Sequence, residues 1–243
     1  MNQKILLITG WGGGTKLLSA LQQALQNQGH DVELINIFNA LDESELQRQT
    51  EKAKDYEVII GWSLGGQLAT LLVDQISKQY QQQKVLITLA SNPCFVANDA
   101  WQTAMPKAIF QSFKQSFETD AIATLKKFGY MACQGVESSK ADFVKLQSLI
   151  QAQKIELLQD GLNLLENLNL VNILKNYAGH QYHIFAKQDD LVSYKVFENL
   201  QQLDAKFFQA ELISGSHGLP VFQYNKLADK ICQFLNNIEP SVI

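Results

Sequence analysis

The chain has 243 residues, 46% of them hydrophobic and 18% charged, with a net charge of −4 at pH 7. That is enough apolar material for a full core, and a net acidic chain without a basic-aromatic tract is not a general nucleic-acid binder. The three cysteines, Cys94, Cys133 and Cys232, are odd in number and too far apart for zinc spacing or a disulfide framework, so no metal is expected and a cytoplasmic address is. No apolar stretch approaches membrane-spanning length, and residues 1–11 lack the marks of a signal peptide, so no membrane attachment is expected. In chain order, apolar runs predict strands over 5–9, 32–37, 58–61 and 85–90, alternating with helices over 16–27, 43–52 and 67–78. From 98 to 168 no β-like run occurs, and amphipathic helices are expected over 107–117, 120–131, 140–153 and 155–168. Strands over 181–186 and 207–213 then resume the rhythm, with helices over 194–203 and 224–236. The order predicts an α/β fold: a mostly parallel sheet flanked by helices, with a core of 1–97 and 169–243 and an all-helical cap, 98–168, over the C-terminal edge of the sheet. The sheet is expected to begin at strand 5–9, with no complete hairpin before it.

One segment carries the chemistry. Gly61-Trp62-Ser63-Leu64-Gly65-Gly66 lies between the apolar run ending at Ile60 and the helix beginning near Gln67. A serine at the apex of a strand–turn–helix, with glycines two residues either side, is the nucleophile elbow of the α/β-hydrolase fold. A serine hydroxyl needs a base oriented by an acid, and in this fold the chain order is Ser, then Asp or Glu, then His. Of the four histidines, His217 alone sits in a loop after the last strand; His30, His180 and His183 read as structural or surface residues. The acid belongs to the loop after strand 181–186, where Asp189 and Asp190 compete. Asp189 is preferred because Leu191, Val192 and Ser193 follow it in the spacing seen around such acids.

The oxyanion needs two backbone donors: the N–H after the nucleophile, here Leu64, and one from the loop after an earlier strand, here the Trp11 N–H in Gly10-Trp11-Gly12-Gly13-Gly14. That glycine run fits neither the Rossmann nor the P-loop spacing, so no nucleotide site and no cofactor is expected. The aromatic residues of the cap, among them Phe110, Phe113, Phe117, Phe128 and Phe143, read mostly as helix-packing core, with a minority lining an acyl channel.

Gly10-Trp11-Gly12, Gly61-Trp62-Ser63-Leu64-Gly65-Gly66, Ala90-Ser91-Asn92-Pro93-Cys94-Phe95 with Trp101, and Asp189-Asp190-Leu191-Val192 together resemble the pimeloyl-acyl-carrier-protein methyl ester esterase family of biotin synthesis. The weaker Gly161-Leu162-Asn163-Leu164-Leu165 is similar to a motif of that family, and the resemblance spans nearly the whole chain. It implies a serine esterase acting on the methyl ester of pimeloyl-acyl-carrier protein through Ser63, His217 and Asp189, with Trp62 in contact with the substrate; from the residues themselves, Trp11, Phe128 and Phe143 are also expected against it. The acyl-carrier protein is the implied partner, and a monomer is expected. Two departures stand out. Thr9 replaces the histidine that usually precedes Gly-Trp-Gly, and the cap has no arginine, the sole arginine being Arg48. Lys140 and Lys145 are therefore the cap cations expected to meet the acidic carrier, without the bidentate geometry of arginine. The alternatives are a general short-chain carboxylesterase or thioesterase, which would share every catalytic residue, and a non-catalytic hydrolase-fold binding protein.

Overall fold

A computed structural model describes residues 2–238. The strands are β1 (Lys4–Ile8), β2 (Asp31–Ile35), β3 (Val58–Trp62), β4 (Val85–Leu89), β5 (Gln181–Ala186) and β6 (Phe208–Ile213). They form one six-stranded sheet in the order β2-β1-β3-β4-β5-β6, and every neighbouring pair is parallel. The inner strands are apolar on consecutive residues because both faces are covered. Their period of two sends Ile5, Leu7, Val58 and Ile60 into one core, while Leu6, Ile8 and Ile59 enter the other.

Helices α1 (Ser19–Asn27) and α11 (Tyr224–Asn237) close the first core with Leu21, Leu25, Leu227 and Ile231. On the second face lie α2 (Glu43–Ala53), which Asp42 caps by accepting from the Ser44 and Glu45 amides, and α3 (Leu64–Tyr80), with Leu68, Leu72 and Ile76 turned inward. The chain leaves β1 for β2 on one side and returns to β3 on the other. At such a switch point the loops beyond the strand C-termini part, and open parallel sheets take ligands there.

Between β4 and β5 stand α4 (Lys107–Thr119), α5 (Ala121–Ala132), α6 (Ser139–Leu149), α7 (Ile155–Asn167) and α8 (Val171–Asn176). Asp120 breaks α4 from α5 with an extended backbone and caps α5 by accepting from the Ala123 amide at 2.9 Å. The short helices α9 (Lys195–Gln201) and α10 (Leu219–Phe222) complete the set.

The sequence-based expectations differ from this structure in several details. The helix expected over 16–27 splits into a 3₁₀ turn, Thr15–Leu18, and α1. The helix expected over 140–153 stops at Leu149, because the Gln151 amide donates to the Gly13 carbonyl at 3.0 Å and residues 150–153 leave the helical path. Helices α8 and α10 were not expected; at 6 and 4 residues they are too short to show a helical period.

Candidate active site

Four loops meet at the C-terminal edge of the sheet, following β1, β3, β5 and β6. The loop after β3 is the tightest. Ser63 has φ 54° and ψ −121°, a conformation that costs a non-glycine residue roughly 1–3 kcal/mol and persists only when its surroundings hold it. Here they do. The Ser63 amide donates to the Leu89 carbonyl at 2.9 Å, and its carbonyl accepts from the Gly66 amide at 2.9 Å and from Ser91 Oγ at 2.7 Å. The flanking glycines are a steric requirement. A Cβ on Gly61 would lie 2.0 Å from the Gly65 carbonyl oxygen, and one on Gly65 would lie 2.3 Å from the Thr9 carbonyl oxygen.

The loop after β6 brings His217 to this serine. His217 Nε2 lies 2.9 Å from Ser63 Oγ, and its Nδ1 lies 2.8 Å from Asp189 Oδ2. The Gly218 amide anchors the histidine loop by donating to the Ala132 carbonyl at 2.8 Å, and Trp62 Nε1 donates to the His217 carbonyl at 3.0 Å. Asp189 is buried, and its second oxygen accepts from the Leu191 and Val192 amides, each at 2.8 Å. One carboxylate oxygen is thus held by the main chain and the other is left for the imidazole. Asp190 next to it is exposed.

The other histidines are occupied elsewhere. His30 contacts Cys232 Sγ at 3.3 Å, and His180 packs on Phe207. His183 is bonded to Thr88 Oγ1 at 2.7 Å, and burial pushes its pKa down to about 3. All three cysteines are buried, and burial raises each thiol, Cys133 to about 12, so none is poised as a thiolate.

The Trp11 and Leu64 main-chain N–H groups have no hydrogen-bond partner among the described residues. The Trp11 indole donates to the Leu158 carbonyl of α7 at 2.8 Å, and its ring meets Phe113, Phe117 and Phe128 edge-on. Trp11 and Phe128 line an apolar cavity of about 250 Å³ with Phe95, Phe110, Leu162 and Leu191. It adjoins an open cleft of about 450 Å³ between α4 and α5, and Ser112, Ser116, Thr124 and Lys127 belong to both.

Two residues expected at the substrate stand outside this cavity. Trp62 is buried, with its ring tilted against His217 at 5.8 Å, and its indole N–H is spent on the His217 carbonyl; it braces that loop and does not line the cavity. Phe143 packs edge-on to Tyr130 at 5.5 Å, on the side of the other core. Lys140 is exposed, and Lys145 holds its ammonium 5.7 Å from the Tyr224 ring and 5.9 Å from that of Phe222. Sequence reasoning missed the bracing role of Ser91 and the anchoring of Gly218; a serine and a glycine in loops carry no periodic signal. Among the described residues no cluster of His, Cys, Asp or Glu could hold a metal ion, and no helix is long and apolar enough to cross a membrane.

Known proteins are similar to this chain in sequence and in fold. The family model described as lipase (class 3) matches residues 12–128, a span that contains Ser63 but ends before Asp189 and His217. The pimeloyl-acyl-carrier-protein methyl ester esterase of Salmonella typhimurium is 29% identical over 214 residues, 83% of this chain and 82% of that protein. A bromoperoxidase from Bacillus anthracis superposes with a TM-score of 0.82 at 15% identity, covering 98% of this chain and 93% of its own. A hydrolase from Oleispira antarctica gives 0.80 at 14% identity, over 98% and 92%. The chain has the α/β-hydrolase fold, and over most of its length it is similar to the pimeloyl-acyl-carrier-protein methyl ester esterases.

Proposed function

We propose that the chain is a serine carboxylesterase that hydrolyses the methyl ester of pimeloyl-acyl-carrier protein on the route to biotin, working as a cytoplasmic monomer without a cofactor. The observation that carries the chemistry is the unbroken relay from Ser63 Oγ to His217 Nε2 at 2.9 Å and from His217 Nδ1 to Asp189 Oδ2 at 2.8 Å. The choice of substrate rests on similarity to the relatives that bear that name.

In this reading Asp189 accepts Nδ1–H and so keeps Nε2 unprotonated, ready to take the Ser63 proton. Ser63 Oγ attacks the methyl ester carbonyl, and the negative oxygen forms opposite the Trp11 and Leu64 amides. Preorganised donors of this kind are worth about 10²–10³ in rate apiece. The tetrahedral intermediate collapses, His217 returns the proton to the leaving methoxide, and methanol departs. Water, deprotonated by the same nitrogen, then cleaves the acyl-serine ester to leave a free carboxylate and Ser63–OH. The helices within 98–168 act as a cap, and the apolar cavity beneath them takes the acyl chain, with Trp11 and Phe128 as its walls. Lys140 and Lys145, both exposed, would attract the acidic carrier, with Lys127 at the neck of the cavity.

Two measurements test this. Purified enzyme should hydrolyse methyl pimeloyl-carrier with a kcat/KM at least about 10-fold above that for a short nitrophenyl ester, a gap of ~1.4 kcal/mol in transition-state binding. It should also restore growth without biotin to a strain lacking this esterase, whereas Ser63→Ala should not. Equal rates on both esters would point instead to a general esterase or thioesterase.

A further inference from the structure

The glycine loop after β1 is held by a polar clamp that takes no part in the triad. Residues 10–14 include four glycines, and Gly12 and Gly14 have φ values of 95° and 75°. Such a segment has many conformations in solution, and fixing each residue costs about 1–2 kcal/mol, so its geometry must be imposed from outside. The imposing groups lie in 151–153, the connection between α6 and α7. The Gln151 amide donates to the Gly13 carbonyl at 3.0 Å. Gln151 Oε1 accepts from the Lys16 amide at 2.8 Å and from Thr15 Oγ1 at 3.3 Å, which fixes the far end of the loop. Gln153 Oε1 accepts from Asn36 Nδ2, and Asn36 Oδ1 accepts from Thr9 Oγ1 at 2.9 Å, which fixes the near end. Gln153 Nε2 in turn donates to the Gln151 and Ala152 carbonyls, each at 3.1 Å, so the clamp also braces itself. It is tight: a Cβ on Gly14 would lie 2.5 Å from Gln153 Nε2.

We propose that Gln151, Gln153 and Asn36 are positioning residues for the oxyanion-binding loop, setting the direction of the Trp11 N–H from the α6–α7 connection and, through Asn36, from the end of β2. The proposal rests on the esterase reading in one respect, the assignment of Trp11 N–H as an oxyanion donor. The Trp11 indole bond to the Leu158 carbonyl ties the same loop to α7. The α6–α7 connection therefore cannot lift from the sheet without releasing the loop. The cavity instead adjoins the cleft between α4 and α5, which leaves that side for substrate to pass.

The test compares Gln153→Leu, which removes both ends of the amide, with Gln153→Glu, which keeps an acceptor for Asn36. With nitrophenyl acetate, Gln153→Leu should lower kcat about 5- to 20-fold with KM within about twofold, a fraction of the loss from deleting a whole oxyanion donor. Gln153→Glu keeps the acceptor for Asn36 but loses the donor to the Gln151 and Ala152 carbonyls, and should recover only part of that loss. Hydrogen exchange needs no substrate: amides over 9–17 should exchange faster in Gln153→Leu while those of the Ser63 turn do not. Asn36→Ala should reproduce both effects. Unchanged exchange over 9–17 overturns the clamp, whatever the activity of the parent; faster exchange with kcat unchanged, or a loss confined to KM, overturns its role in catalysis.

Discussion

Asp189→Asn is expected to lower kcat on a nitrophenyl ester by about 10⁴-fold, whereas Asp190→Asn should stay within about twofold of the parent. The contrast follows from where the lone pairs go. Asp189 Oδ1 accepts from the Leu191 and Val192 amides, and Oδ2 faces His217 Nδ1. An asparagine must place its NH₂ on one side or the other. Towards His217, it donates to Nδ1, forces the proton onto Nε2 and leaves no acceptor for the Ser63 hydroxyl. Towards the main chain, it sets donors against two buried donors, each an unsatisfied group costing about 1–3 kcal/mol. Asp190 is exposed and has no such double role. Steady-state rates on variants with unchanged circular dichroism decide the matter, and an inactive Asp190→Asn beside an active Asp189→Asn would move the acid by one residue.

Gly61→Ala and Gly65→Ala should each cost more than about 4 kcal/mol, above the usual range for single substitutions. The atoms they would strike are main-chain oxygens, at 2.0 Å and 2.3 Å, which cannot swing aside as a side chain can. Relief would require prising α3 from β3 or from the end of β1; β1 and β3 feed both cores, and α3 fills one of them. Against a total stability of about 5–15 kcal/mol, such a loss lowers the melting temperature by about 10 °C or more, or abolishes the fold. Gly29→Ala is the control. Nothing lies within 4 Å of its Cβ position, so it carries only the cost of its φ of 94°, on the order of 1 kcal/mol. Thermal melts of the three variants separate packing from backbone strain; equal melting temperatures would show that the turn is not closed as described.

The elbow was legible in the sequence because its constraints are local: a buried strand, a helix, and glycines where a Cβ would meet main chain. The histidine that meets Ser63 was legible because few histidines exist and one follows the last strand. Choosing Asp189 over Asp190 drew on the apolar residues after it, and the structure shows those residues donating their amides to its carboxylate. Trp62 and Phe143 were misplaced for a physical reason. Position along the chain says that a ring is near the site, but its direction is set by what its polar edge can bond, here the His217 carbonyl for Trp62, or by which core it joins. The clamp of Gln151, Gln153 and Asn36 was invisible because amide side chains in loops have no period, and the bonds that join 151–153 to Gly13, Thr15, Lys16 and Asn36 span more than a hundred residues. The helix expected to run to 153 failed at the same place, where a main-chain bond to Gly13 outweighed helix propensity.

The most direct measurement is covalent labelling of the folded chain with a fluorophosphonate, followed by peptide mass spectrometry. The relay between Ser63, His217 and Asp189 should yield a single adduct on Ser63, absent in Ser63→Ala and strongly slowed in His217→Ala. A folded parent that takes up no label, or an adduct on another residue while Ser63 stays unmodified, would contradict it.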